Sequence, residues 1–105
     1  MQFEYDNENL MMALELYKNK RIAIQLTCET GEPYSVLTTN IVDAVLADDE
    51  VCISDWNHPA DLLEVVLASG RFEDTLAKRR TGFVDAPVWR IKCPELLAEI
   101  ARLRS

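Results

Sequence analysis

The chain has 105 residues, 49% hydrophobic and 28% charged, with three glycines and four prolines, a globular composition that excludes disordered, collagen-like and linker sequence. Its longest uncharged stretch, the ten residues from Pro33 to Val42, falls well short of the ~18–20 apolar residues that a membrane-spanning helix requires. The net charge of −7 includes nine acids and no Lys or Arg between Ile22 and Gly70, which argues against direct nucleic-acid binding by that segment, because phosphate contacts need clustered cations.

In chain order, Asp6 or Asn7 can cap a helix to about Lys18, with Leu10, Leu14 and Tyr17 at i, i+4 and i+7. From Arg21 to Cys28 the apolar period becomes two, with Ile22, Ile24, Leu26 and Cys28 on one face, so a half-buried strand is predicted. Gly31 and Pro33 then mark a hairpin loop returning into a strand from Tyr34 to about Ile41. Val42–Glu50 reads as a solvated loop, because Asp48, Asp49 and Glu50 repel one another, and a short strand follows at Val51–Ser54.

Pro59 suits the first turn of a helix that should run to Ser69, with Asn57 or His58 as cap, Asp61 in the dipole-favoured first turn and Gly70 as the stop. The segment 71–82 lacks a clear period and is expected to be a connector carrying the basic run Lys78-Arg79-Arg80. A final strand spans about Phe83 to Lys92, where Pro87 lacks a ladder donor and therefore belongs at a sheet edge or a bulge. Pro94 opens a C-terminal helix with Leu96, Ile100 and Leu103 on one stripe and Arg102 and Arg104 at its cation-favoured end. The expected fold class is α+β, a single domain over residues 1–105 in which a mostly antiparallel sheet of about four strands packs helices on one face.

Two stretches carry a resemblance. Ala23-Ile24-Gln25-Leu26 leading into Gly31-Glu32-Pro33-Tyr34-Ser35-Val36-Leu37-Thr38-Thr39-Asn40, and Gly82-Phe83-Val84-Asp85-Ala86-Pro87, resemble the uncharacterised bacterial family known as domain of unknown function 4313, over about residues 17–92. The resemblance implies a small bacterial accessory protein, often of a phage or other mobile element, with no catalytic residues to carry over. Physically the same residues read first as structure, although Glu32 and Tyr34 flank a loop that a rigid scaffold would present to a partner.

The chemistry-bearing residues are few. Cys28, Cys52 and Cys93 are odd in number and widely spaced, which argues against a disulfide framework or a zinc ribbon. His58 is the only histidine, and a cysteine nucleophile with His58 as base, oriented by Asp55 or Asp61, is the best enzymatic arrangement available. It ranks below the reading of each cysteine as a small core hydrophobe. Asp48, Asp49, Glu50 and Asp55 could offer oxygen ligands to a divalent cation but lack the EF-hand spacing. No cofactor is expected.

The leading functional expectation is therefore a non-enzymatic, cytoplasmic binding protein, an anti-defence (anti-CRISPR or anti-restriction) or accessory factor that meets a basic protein through a negative face. Its candidate contact residues are Glu29, Glu32, Tyr34, Asp48, Asp49, Glu50, Asp55 and Trp56. The alternative is a self-associating module in which the acidic segment of one copy meets the basic C-terminal third of another, and a cysteine-dependent enzyme stands third.

Overall fold

A computed structural model describes residues 2–105. Strands β1 (Gln2–Tyr5), β2 (Glu8–Leu16), β3 (Ile22–Cys28) and β4 (Pro33–Val36) form one antiparallel sheet in the order β1-β2-β3-β4. Strands β5 (Thr38–Thr39), β6 (Glu50–Ile53), β7 (Phe72–Thr81) and β8 (Val84–Ile91) form a second, ordered β5-β6-β8-β7. Helices α1 (Ala60–Ala68) and α2 (Pro94–Arg104) pack on this framework. The α+β class and antiparallel pairing are as expected, with the strands divided between two four-stranded sheets.

The helix expected between Asp6 and Lys18 is instead the hairpin arm β2, with β1 ahead of it. Leu10, Met12, Leu14 and Leu16 also recur with a period of two, and pairing with β3 through Leu10↔Cys28 to Leu16↔Ile22 selects that period. Asp6 and Asn7 have φ of 52° and 63°, so the residues read as a helix cap form a two-residue hairpin turn of the type in which both central residues are left-handed. The connector expected over 71–82 is also overturned, because most of it is β7. That strand is held by backbone pairing along β8 and exposes charged residues, so it leaves little apolar period to detect. Between Asp74 and Lys78 it bulges against the two-residue span Trp89 to Pro87, with Leu76 at φ 68°. This bulge adjoins Pro87, whose missing donor had pointed to one.

The remaining elements follow expectation more closely. The β3–β4 turn places Gly31 at φ 94°, where the Gly31 amide donates to the Cys28 carbonyl at 2.8 Å. Helix α1 begins one residue later than expected, because Pro59 itself occupies the cap position and its carbonyl accepts from Leu62 at 3.1 Å. Pro94 occupies the first turn of α2.

The strand expected from Tyr34 to Ile41 is divided at Leu37, where the chain passes from one sheet to the other. The Leu37 amide donates to Ile24 of β3 at 2.9 Å, and its carbonyl accepts from Ser54, just past β6, at 3.1 Å. Thr38 supports the crossing: its buried hydroxyl accepts from the Ile24 amide at 3.2 Å and lies 3.0 Å from the Tyr17 hydroxyl. One core spans both sheets and both helices, including Leu10, Ile24, Leu26, Leu37, Ile53, Leu62, Val66, Trp89 and Ile100. Trp89 belongs to this core, with its ring centroid 5.8 Å from that of Phe72. A smaller cluster of Cys52, Ala86 and Val88 is covered by Ile41 and Leu46 from the loop before β6.

Leu37 therefore combines a fully buried side chain with backbone bonds to both sheets. Leu37→Ala is expected to cost about 2–5 kcal/mol of stability, and Leu37→Pro, which also deletes the donor to Ile24, is expected to prevent cooperative folding. Denaturant unfolding of the two variants checks this ordering.

Candidate functional site

The β1–β2 turn, the β3–β4 loop and the start of α1 meet at one end of the molecule. An open cleft of about 250 Å³ there is lined by Asn7, Glu8, Asn9, Cys28, Glu29, Thr30 and Glu32. The Asn9 side-chain amide donates to Glu29 at 3.3 Å, and the Cys28 thiol donates to Glu8 at 3.6 Å. Asp61, in the first turn of α1, accepts from the Tyr5 hydroxyl at 2.8 Å and from the Leu62 amide at 3.0 Å, which ties the helix to β1.

The electrostatics of this end are uniformly negative. The hydrogen bond to Asp61 is the main reason that the Tyr5 phenol is pushed up to about 12, with desolvation and the Asp61 charge adding to it. Burial, followed by the charges of Glu8 and Asp6, raises Tyr34. Desolvation, then the Glu8 charge and hydrogen bond, raises the Cys28 thiol, so the site disfavours the thiolate that a nucleophile needs. Among the described residues, Asp6, Glu8, Glu29, Glu32 and Asp61 have no Lys or Arg within ion-pair distance.

The structure thus brings Glu29, Glu32 and Tyr34 together but leaves the other sequence candidates elsewhere. Asp49 and Glu50 lie against Arg90, at 3.6 and 3.4 Å, and Arg90 also reaches Glu73 at 3.8 Å. The Asp48 carbonyl accepts from Arg104 at 2.8 Å. These three residues adjoin the turn before β3, since Asp48 and Glu50 share a concavity with Asn19, Lys20 and Arg21. The acidic cleft adjoins the far end of β3, roughly 20 Å away for a seven-residue strand. Asp55 and Trp56 occupy a third location, a single 3-10 turn after β6, where Trp56 is 42% exposed.

Sequence reasoning missed Asp6, Glu8 and Asp61 as members of the acidic end. For Asp6 and Glu8 the signal is the turn chemistry of Asp6-Asn7, hidden by its reading as a helix cap, whereas Asp61 reads only as a first-turn helix residue until the fold sets it against Tyr5.

His58 pairs with no cysteine. Its Nε2 lies 3.0 Å from the Ser35 hydroxyl and its Nδ1 lies 2.7 Å from the Ser54 carbonyl. Nδ1 must carry the proton to satisfy that carbonyl, leaving Nε2 to accept from Ser35. Serine, imidazole and orienting carbonyl have the spacing of a nucleophile and its base, but neither Ser35 nor His58 lines any of the clefts described here. The three groups fasten β4 to the turn after β6, beside the Ser54 hydroxyl that donates to Leu37.

Among the described residues, no group of three or more His, Cys, Asp or Glu side chains is arranged to hold a metal ion, and no helix is long and apolar enough to cross a membrane. No family model, curated protein or solved structure matches the chain.

Absorbance titration at alkaline pH tests the Tyr5–Asp61 pair. One phenol is expected to ionise near 12, and Asp61→Asn is expected to return it toward the ordinary value of about 10. Because the folded pKa is the higher one, the bond's stabilisation is complete below about pH 10 and declines as pH rises through the folded value.

Proposed function

We propose that the protein is a small, cofactor-free, non-enzymatic binding protein whose acidic end docks on a basic protein surface. The observation that carries this reading is the contrast between two groups of acids. Asp49 and Glu50 are compensated within the chain by Arg90, whereas Glu8, Glu29 and Glu32 line one cleft, Asp6 and Asp61 act on the neighbouring Tyr5 and Tyr34, and none of these five acids is in a described ion pair. Carboxylates held by two turns and a helix start suit a groove built for phosphates, where they attract the same Lys and Arg side chains and accelerate encounter. Tyr5 and Tyr34 add aromatic area beside the charges.

A nucleic-acid-binding effector or nuclease offers such a groove. The resemblance to domain of unknown function 4313 implies a small bacterial accessory protein, often of a mobile element, and on this reading the protein is an anti-defence or accessory factor acting in the cytoplasm. On this reading Glu29, Glu32 and Tyr34 are contact residues, joined by Asp6, Glu8 and Asp61. Asp49 and Glu50, at the start of the interior strand β6, are paired with Arg90 of β8, the Asp48 carbonyl holds Arg104 of α2, and Trp56 lies outside the contact.

The test compares tagged wild-type, Glu29→Lys/Glu32→Lys and Asp48→Lys baits in a bacterial lysate, with quantitative mass spectrometry at low and high salt. A basic protein retained by wild type and Asp48→Lys, lost from the double variant and released by salt supports the reading. Equal retention by all three baits, or no salt-sensitive partner, overturns it.

A further inference from the structure

Three cations, Lys78, Arg79 and Arg80, are adjacent in sequence on one half of the β7–β8 hairpin. Strand β8 is paired on both sides at Trp89 and Arg90 and with β6 alone at Val88, opposite the bulge, but from Val84 to Pro87 it pairs only with Lys78–Thr81 of β7. That half of the hairpin is a two-stranded arm. Lys78 and Arg80 are exposed on it, Phe83 at its tip is 98% exposed, and Leu76 in the bulge at its base is 86% exposed.

Arg79 reaches across the arm to donate to the Val45 carbonyl at 3.3 Å. It lines, with Arg80, Ile41, Ala44 and the exposed Val45, a concavity of about 370 Å³. Asp43 and Asp85 are the acids beside these three cations, and Asp85 meets Arg80 only at 4.0 Å with both side chains open to solvent. Arg71, Arg90 and Lys92 do not join the arm: Arg71 donates to the Gln2 carbonyl, while Arg90 and Lys92 are paired with Glu73.

We infer that this arm is a second interaction surface and that its occupant is the acidic end of another copy of the same chain. The inference rests on the acidic end proposed above as a docking surface and adds a partner for it. Local charge complementarity selects the occupant: Lys78 and Arg80 are exposed on the arm, Arg80 meeting Asp85 only at 4.0 Å, and the cleft lined by Glu8, Glu29 and Glu32 is a fixed anionic surface whose acids are in no described ion pair. Phe83 supplies an apolar anchor that water-exposed cations alone would lack. The contact joins different surfaces of the two copies, so it is head-to-tail and leaves a free arm and a free acidic end to extend it.

Sedimentation velocity over a concentration series tests this. The weight-average coefficient of the wild type is expected to rise with concentration at about 0.05 M salt and to fall to the monomer value at about 0.5 M. Lys78→Glu/Arg80→Glu and Glu29→Lys/Glu32→Lys are each expected to remain monomeric, and their equimolar mixture is expected to associate again, because each reversed surface then meets its complement. Phe83→Ser is expected to weaken association without abolishing its salt dependence. Circular dichroism confirms that each variant is folded before it is scored.

Wild type that stays monomeric at every concentration, or a mixture that fails to associate, overturns the inference. So does salt-sensitive retention of a DNA or RNA fragment that Lys78→Glu/Arg80→Glu removes. The Lys78→Glu/Arg80→Glu variant also keeps the two proposals separable, since it should lose self-association while still capturing a basic lysate partner.

Discussion

The structure turns on Leu37, the residue at which one strand leaves the first sheet and enters the second. Its amide belongs to the ladder of β3 and its carbonyl to the chain leaving β6, so one peptide segment sets the relation of the two sheets. A change of sheet would ordinarily leave backbone groups without partners. Here the Thr38 hydroxyl serves the Ile24 amide, and the Ser54 hydroxyl serves the Leu37 carbonyl. With the sheets fixed in this way, Leu62 and Val66 of α1 complete the shared core. Asp61 then lies against Tyr5, beside the β1–β2 turn. The acidic end is a consequence of that closure.

Folding also sorts the charges in a way that linear sequence cannot express. The cation-free segment from Ile22 to Gly70 does not become one negative face. Its middle acids reach Arg90 because Glu50 and Arg90 are register partners on β6 and β8. Glu29 and Glu32 sit on a turn that no basic strand approaches, and they acquire Glu8 as a neighbour. Exposed ion pairs such as Arg90–Asp49 contribute little stability individually, but they cancel charge. The acids of the negative end are among those that this pairing leaves without a cation.

The elements legible in the sequence were those that bury a single regular face. β3 declared itself by its alternation, and α1 and α2 by their stripes and by Gly70, Pro59 and Pro94. β2 was misread because Leu10, Leu14 and Tyr17 fit a helix while Leu10, Met12, Leu14 and Leu16 fit a strand, and only partnering with β3 decides between the two periods. β7 was invisible for the opposite reason, since a largely exposed edge strand stabilised by backbone pairing has no need of apolar periodicity. Of the site, the β3–β4 loop was legible in Gly31, Glu32 and Pro33. Asp6, Glu8 and Asp61 were not, because turns distant in sequence meet there only through the fold.

An uncompensated acidic end repels itself as well as attracting a partner, so it leaves a mark on the isolated protein. The most direct measurement is the thermal midpoint of the wild type and of Glu8→Gln/Glu29→Gln/Glu32→Gln across a sodium chloride series from about 0.02 to about 0.5 M, both in the monomeric Lys78→Glu/Arg80→Glu background so that association does not add to stability. The wild-type midpoint is expected to rise with salt as repulsion is screened, by a few degrees for about 1 kcal/mol of repulsion removed. The neutralised variant is expected to start higher and to change less. A variant with the same salt slope as wild type, or a lower midpoint throughout, would contradict it.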